Sequence, residues 1–322
     1  MELSNRLLSN AQGLAALAAR LRLDQLGVEG DPAVRAQLDR ALDALGAREH
    51  VQELDEGERS MLLAFARSYL AQGLELVDNP ARAGAWGYTD SVLLEAQGSA
   101  SAVVARLIAD AGLGTASARI LDVGTGVGGL AVALATRFPG STVVGIDPWE
   151  PALALAREKV AAAGLDGRVT LLPPTVQELD DADGFDLVWL PSFFIPESVL
   201  DDAIARIYAV MRPGATLVVG IRQGGDEESL ASAVDDLFTV RSGGSVIDPE
   251  EVLARLRHAG FSNTWEAERN WDTPLRLVIG RRGRAKASGL SSERLASSAR
   301  VMVVRAQTTP VILACGNVLL TV

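Results

Sequence analysis

One short stretch constrains this chain more than any other: Ile120-Leu121-Asp122-Val123-Gly124-Thr125-Gly126-Val127-Gly128-Gly129-Leu130. An apolar run ends in a cluster of glycines, and a helix-forming sequence resumes directly after them. Glycines in such a turn permit positive φ angles and let a ligand approach the backbone without a Cβ in the way. The helix start beyond them offers N–H groups with no partner inside the helix. The segment therefore reads as strand, tight turn and helix, with a ligand site at the turn. Gly124-x-Gly126-x-x-Gly129 also satisfies the GxGxxG pattern of dinucleotide-binding folds, which by itself discriminates poorly.

The same unit recurs along the chain. Strand-like runs at 119–123, 142–146, 169–172, 185–190 and 216–221 alternate with helical stretches at 130–137, 151–163 and 198–211. Repeated βα units of this length predict a parallel, doubly wound sheet covered by helices on both faces. Further on, helices are expected at 226–238 and 248–259, then two strands at 261–269 and 274–280 close enough to form an antiparallel hairpin. The first third is helical instead. Apolar spacing predicts a helix over 3–26, and Asp31-Pro32 is a good N-cap and first-turn pair for one reaching about Gly46. A third covers 55–76, with Met61, Leu62, Phe65, Tyr69 and Leu70 on one face. A fourth follows Trp86-Gly87-Tyr88-Thr89-Asp90 and runs to Asp110. These helices suit a lid over a site, a homodimer contact, or both. The expected organisation is a helical region over 1–114, a sheet domain over 115–282 and a basic tail over 283–322. From Arg281 onward seven Arg or Lys face one acid, Glu293. That tail reads as an appendage dispensable to the rest, or else its apolar runs at 301–304 and 311–322 add strands to a sheet edge or pair with a second subunit.

Composition excludes several classes. With 48% hydrophobic and 22% charged residues the chain has an ordinary globular balance. No apolar run approaches the roughly 18 residues that span a bilayer, and the N-terminus lacks the pattern of a signal peptide. One cysteine, Cys315, excludes a disulfide framework, and with only His50 and His258 beside it no His/Cys zinc site can be built. A net charge of −11 repels phosphate backbones. The expectation is a cytoplasmic protein with a small-molecule ligand and neither nucleic acid, membrane nor metal as partner.

Three neighbours of the glycine turn narrow the ligand. Asp122, at the strand end, would repel a pyrophosphate but suits a ligand carrying an ammonium and a sulfonium. Gly145-Ile146-Asp147-Pro148 puts a carboxylate at the end of the next strand, ready for two ribose hydroxyls. Phe185-Asp186-Leu187-Val188-Trp189-Leu190-Pro191 is followed by a helix and the turn Met211-Arg212-Pro213-Gly214-Ala215. In this order and spacing the elements resemble class I S-adenosylmethionine-dependent methyltransferases over about residues 115–282. The helical first third is similar to the lid or dimerisation region of small-molecule members. The resemblance implies an α/β fold, a Rossmann-like doubly wound seven-stranded sheet with an α-helical N-terminal domain, its last strand antiparallel. It places S-adenosylmethionine across the C-terminal strand ends, in agreement with the general rule for open α/β sheets.

Position by position, the resemblance implies that Gly124, Gly126 and Gly128, with Thr125 in the same turn, line the methionine portion. Asp122 would orient that portion, Asp147 would take the ribose hydroxyls, and Pro148 and Trp149 would pack on the adenine. Where the family often has Gly-Asp after its third strand, this chain has Pro174-Thr175-Val176-Gln177. Thr175, Gln177 or the Val176 N–H then substitutes as the adenine contact, and Leu190 at the fourth strand end completes the set. Plainer roles stay open: Asp122 could cap the turn, Asp147 the following helix, and Trp149 could be a half-exposed aromatic at a helix start.

On the acceptor side the resemblance implies a histidine base after the fifth strand in plant-type O-methyltransferases. This chain has Arg222-Gln223-Gly224-Gly225 there, which leaves a carboxylate, a tyrosine or proximity alone. Trp86 and Tyr88 from one direction and Trp189, Phe193 and Phe194 from the other flank the expected pocket, apolar area suited to a flat substrate. Trp189 and one Phe could equally fill core. Tyr88, Asp90 and Glu197 are the polar candidates for catalysis, while His50 and His258 read as surface residues. The resulting expectation is in-line methyl transfer from S-adenosylmethionine to a small aromatic or apolar metabolite. The alternatives are a binding or scaffold protein that keeps the cofactor fold, and an NAD(P)-dependent Rossmann oxidoreductase. The latter is disfavoured by Asp122 and by the lack of a Tyr-x-x-x-Lys pair.

Overall fold

A computed structural model describes residues 2–89, 91–114, 117–222, 229–271, 273 and 275–284. At its centre β1 (Arg119–Val123) pairs in parallel with β2 (Thr142–Ile146) on one side and β4 (Phe185–Pro191) on the other. Outward from β2 lies β3 (Val169–Leu172), and outward from β4 lies β5 (Met211–Arg222), both parallel to their neighbours. Next to β5, β7 (Leu275–Arg281) runs antiparallel, and β6 (Asn263–Glu266) closes that edge antiparallel to β7. The strand order is β3-β2-β1-β4-β5-β7-β6, the seven-stranded sheet with its last strand, β7, antiparallel, as the resemblance implied.

The strands are apolar at successive positions because both faces are covered. Leu121, Val188, Leu190 and Val219 pack with α9 (Glu197–Val210) and α11 (Pro249–His258). Ile120, Leu187, Val218 and Ile279, pointing the other way, pack with α7 (Gly129–Arg137) and with Val160 of α8 (Glu150–Ala162). From β1 the chain turns outward to β2, and β4 lies on its other side. The crevice at the C-terminal ends of β1 and β4 is the switch point where open α/β sheets take ligands.

The helical region comprises α1 (Glu2–Leu26), α2 (Pro32–Ala44), α3 (Arg48–Glu53), α4 (Glu56–Asp78), α5 (Ser91–Ser101) and α6 (Val103–Asp110). Asp31 caps α2 as predicted, accepting from Ala33 N and Val34 N. Asp55 and Glu58 form a reciprocal capping box at the start of α4. A small core of Ala18, Leu21, Val51, Leu63 and Ala66 holds α1, α3 and α4 together, while Met61 and Phe65 reach the core on the sheet. The joint to the sheet is tight. A Cβ on Gly129, at the start of α7, would lie 1.8 Å from the Gly98 carbonyl oxygen of α5, so only hydrogen fits where these backbones meet. Residues Met1–Gly283 form one compact unit.

Several boundaries differ from the sequence reading. The helix expected to run unbroken to Asp110 is two helices, separated at Ala102. Ser101 Oγ donates to the Gly98 carbonyl at 2.8 Å, a local bond that competes with continuation of the helix. The short α3 went unread. β5 begins at Met211 rather than 216, and β6 is confined to Asn263–Glu266. The helix expected from 226 is α10 (Leu230–Arg241), capped by Ser229; 226–228 and the tail from 285 lie outside the described residues.

Candidate active site

At the C-terminal ends of β1, β2 and β4 the structure opens into a cavity of about 580 Å³. The glycine turn forms one wall. Gly124 N and Thr125 N both donate to the Ile146 carbonyl, at 2.9 and 3.0 Å, which ties the turn to the end of β2. Gly126 adopts φ +54°, and a Cβ built there meets nothing within 4 Å. Its α-carbon faces open space, and a side chain would intrude on any ligand.

Two carboxyls stand behind the turn. Asp122 is 1% exposed, and the Thr125 hydroxyl donates to it at 2.7 Å. Burial pushes its carboxyl up to about 7, the Thr125 bond opposes the rise and the Asp147 charge adds to it. Asp147 accepts from Gly126 N at 2.9 Å and from Trp149 N at 2.8 Å. Burial raises its pKa as well, against those two bonds. Both readings of Asp147 are therefore present in one residue: it caps the start of α8 and also lines the cavity. Trp149 is anchored by its indole N–H, which donates to the Tyr88 carbonyl at 2.7 Å.

Of the residues predicted on this side, Asp122, Gly124, Thr125, Gly126, Asp147, Pro148, Trp149, Thr175, Val176 and Gln177 line the cavity. Thr175 has its hydroxyl and N–H committed to Glu178, at 2.9 and 3.0 Å. Two residues stand elsewhere. Gly128 caps α7 and packs against Ala156, where a Cβ would approach 3.2 Å. Leu190 is fully buried in the sheet core, because its position on β4 points the side chain into the α9 layer.

The opposite wall is aromatic. Phe193 and Phe194 meet edge-on at 4.7 Å, and Trp86 meets Phe194 at 4.9 Å. Trp189 lines the cavity too, although it is 3% exposed and also belongs to the core. Tyr88 does not line it. Its ring packs on Trp86 and its hydroxyl accepts from Arg82 Nη2 at 2.7 Å, in a network with Glu75 and Arg241 that ties the Trp86 segment to α4 and α10. Glu197 points to solvent, paired with Arg255 at 3.1 Å, and Asp90 lies outside the described residues. Neither His50 nor His258 lines the cavity, and both are exposed. Among the described residues no group of His, Cys, Asp and Glu could hold a metal ion, and no helix is long and apolar enough to cross a membrane.

The methyltransferase domain family matches residues 120–214. The malonyl-[acyl-carrier protein] O-methyltransferase of Geobacter sulfurreducens is 31% identical over 208 residues, 61% of this chain and 76% of that protein. The chain belongs to the class I S-adenosylmethionine-dependent methyltransferases. The demethylmenaquinone methyltransferase of Thermus thermophilus is 41% identical over 115 residues, 35% of this chain and 51% of that protein. The chain spans about half the length of the first curated relatives it matches. An O-methyltransferase family protein from Burkholderia thailandensis shares the fold, with a TM-score of 0.60 at 17% identity over 88% of this chain and 97% of that one.

The residues present fit the family's cofactor. A buried carboxyl with a single hydroxyl partner, held near neutrality by desolvation, is a site that a cationic ligand relieves. Asp122 is such a group, and the open turn at Gly126 lies beside it.

Sequence reasoning missed the part of the methyltransferase cavity built by α4. Phe65, Ser68, Tyr69 and Gln72 line it, spaced as one helix face. Ser68 and Gln72 are buried polar residues in mutual contact, Gln72 Nε2 donating to Ser68 Oγ at 2.8 Å. Periodicity placed Phe65 and Tyr69 on one face, but nothing in it distinguishes a face turned to a core from one turned to a ligand. Arg222 was noticed only as the absence of a histidine, and it too lines the cavity.

Proposed function

We propose that the chain transfers a methyl group from S-adenosylmethionine to a small aromatic or otherwise apolar acceptor. The carrying observation is that one cavity joins the acidic glycine turn to the aromatic wall of Trp86, Trp189, Phe193 and Phe194. The cofactor supplies a methyl group already activated on a sulfonium, so the protein's work is alignment and exclusion of water. Gly124, Thr125 and Gly126 give the methionine portion close access to backbone. Asp122 offers its carboxyl to the cationic groups. Asp147, its two oxygens fixed by Gly126 N and Trp149 N, presents its remaining lone pairs to the ribose hydroxyls. Pro148, Trp149, Val176 and Gln177 surround the adenine, with backbone rather than the committed Thr175 hydroxyl as its polar contact.

In this reading the aromatic wall sets the plane of the acceptor, and edge-on packing among Trp86, Phe193 and Phe194 fixes that plane. Helices α4 and α5 close the cavity from above the glycine turn, the lid role; a homodimer contact through other faces of the N-terminal helices is compatible with it. We place the protein in the cytoplasm, acting on a free metabolite rather than on nucleic acid or at a membrane. The test is incubation with methyl-labelled S-adenosylmethionine and a panel of phenols and amines, read by mass spectrometry. Label on one or more small aromatic acceptors is expected. Tight cofactor binding with no transfer to any acceptor or extract component would favour the scaffold alternative and overturn the reading.

A further inference from the structure

Arg222 stands at the C-terminal end of β5, its side chain 17% exposed on the cavity wall. Its Nε donates to Asp235 Oδ1 at 2.8 Å, and Asp235, on α10, is itself buried. The rings of Tyr69 and Phe238 lie 5.4 and 5.8 Å from the guanidinium carbon and hold the planar group by cation–π contact. Among the described residues, no acceptor takes either terminal nitrogen, Nη1 or Nη2. A guanidinium carries five N–H donors in a fixed fork, and the bond to Asp235 uses one. Donors left over in an apolar, partly buried place favour a ligand that can accept from them. Among the described residues, the titratable groups facing Arg222 are Asp235 and Tyr69, with Asp236 adding its charge to Asp235. Asp122 and Asp147 share the cavity on the glycine-turn side. No histidine is there to remove a proton from an acceptor.

Resting on the methyl-transfer reading, we propose that Arg222 is the specificity-determining anion contact of the acceptor site. The cavity takes a flat aromatic hydroxyl compound as its oxyanion, with the negative oxygen on the terminal nitrogens of Arg222 and the ring against the aromatic wall. Methylation of such an acceptor needs no base. The bond from the methyl carbon to the acceptor oxygen forms as the bond from that carbon to sulfur breaks, and the charges of oxyanion and sulfonium cancel with no proton left over. Asp235 positions the guanidinium rather than taking part. Neutral phenols of the same shape are then poorer ligands than acidic ones.

The probe is 4-nitrophenol, whose ionised form absorbs at longer wavelength than its neutral form. It is titrated into the full chain, without S-adenosylmethionine, at a pH below its own pKa. The difference spectrum should show the ionised form bound. Arg222→Gln should lose that band and weaken binding about tenfold or more, and Arg222→Lys should keep part of both. Asp235→Asn should keep the band, because the donor fork remains and a competing carboxylate has gone. The double variant Arg222→Gln/Asp235→Asn leaves no uncompensated buried charge. It should fold and lack the band. Equal loss of the band in Asp235→Asn and Arg222→Gln would make Arg222 a structural partner of Asp235 only and overturn the proposal. Binding of the neutral form by the parent, or no binding, would overturn it too. Binding of S-adenosylmethionine by the same preparation would then leave the methyl-transfer reading standing.

Discussion

The two walls of the cavity are built in opposite ways. The wall of Asp122, Gly124, Thr125, Gly126, Asp147 and Trp149 comes from two strand ends and the turns that follow them, adjacent in the sheet and close in sequence. Most of its polar contacts are local, Thr125 to Asp122, Gly126 to Asp147 and Trp149 N to Asp147, while the Trp149 indole N–H reaches across to the Tyr88 carbonyl. The acceptor wall is gathered from α4, the Trp86 segment, the turn after β4 and the end of β5. Its contacts run across long stretches of chain, as in the bonds of Arg241 to Glu75 and to the carbonyls of Asn79 and Arg82. A wall made by local backbone geometry can be specified by a motif. A wall made by tertiary packing is specified only by the whole fold, and can change its chemistry without disturbing the other.

If the walls are separable in this way, substitutions on the glycine-turn side should act on cofactor binding alone. The largest effect is expected from Gly126→Val. A branched residue at φ +54° carries backbone strain of about 1–3 kcal/mol and also fills the open space beside the turn. Affinity for S-adenosylmethionine by calorimetry should fall at least about 100-fold, where each factor of ten is about 1.4 kcal/mol, and the strain, carried by the folded chain itself, should lower the thermal midpoint as well. Asp147→Ala should follow, weakening cofactor binding by roughly 1.5–3 kcal/mol, the range for hydrogen bonds to a charged group. Its 4-nitrophenol affinity should be unchanged, and parallel losses of both ligands would show that the walls are coupled.

The joint between the regions can be broken separately. Gly98→Val in α5 would place its Cβ 2.0 Å from Val127 Cγ2. Overpacking of this kind costs about 1–3 kcal/mol. Thermal unfolding should move down, and because Val127 belongs to the glycine turn, cofactor affinity should fall with it.

A pH-dependent effect on stability should come from Asp122→Asn. The Asp122 carboxyl titrates near 7 in the folded chain against 3.8 for the ordinary group, so its neutral form is the one the fold tolerates. Stability from this residue is complete below about pH 4 and is lost as pH rises through about 7. Without cofactor, Asp122→Asn should therefore match the parent at pH 4 and exceed it in thermal midpoint at pH 8. His258→Ala sits at the bottom of the scale: an exposed side chain on α11, away from both walls, should leave turnover and both affinities unchanged.

The same contrast explains what could be read in the sequence. Strands β1, β2 and β3 fall where alternation and turn residues put them, because a doubly buried parallel strand is a short apolar run bounded by glycine, proline and polar residues. Asp122 and Asp147 were legible for the same local reason. The α5–α6 break at Ala102, beside the bond from Ser101 Oγ to the Gly98 carbonyl, was not, since no glycine or proline marks it. Nor was the role of Tyr88, whose ring and hydroxyl are spent on Trp86 and Arg82, nor that of Leu190, whose direction on β4 is set by the pleat. Ser68, Gln72 and Arg222 carry no motif; the packing of α4 brings Ser68 and Gln72 to the cavity, and the end of β5 with Asp235 of α10 holds Arg222 there.

The central claim is that the strand-end crevice around Asp122, Gly126 and Asp147 is an S-adenosylmethionine site. Isothermal titration of the full chain with S-adenosylmethionine, S-adenosylhomocysteine and NAD tests it most directly. Saturable binding of the first two at one site per chain, abolished in Gly126→Val and absent for NAD, is the expected result. Binding of NAD instead, or binding of S-adenosylmethionine that survives in both Gly126→Val and Asp147→Ala, would contradict it.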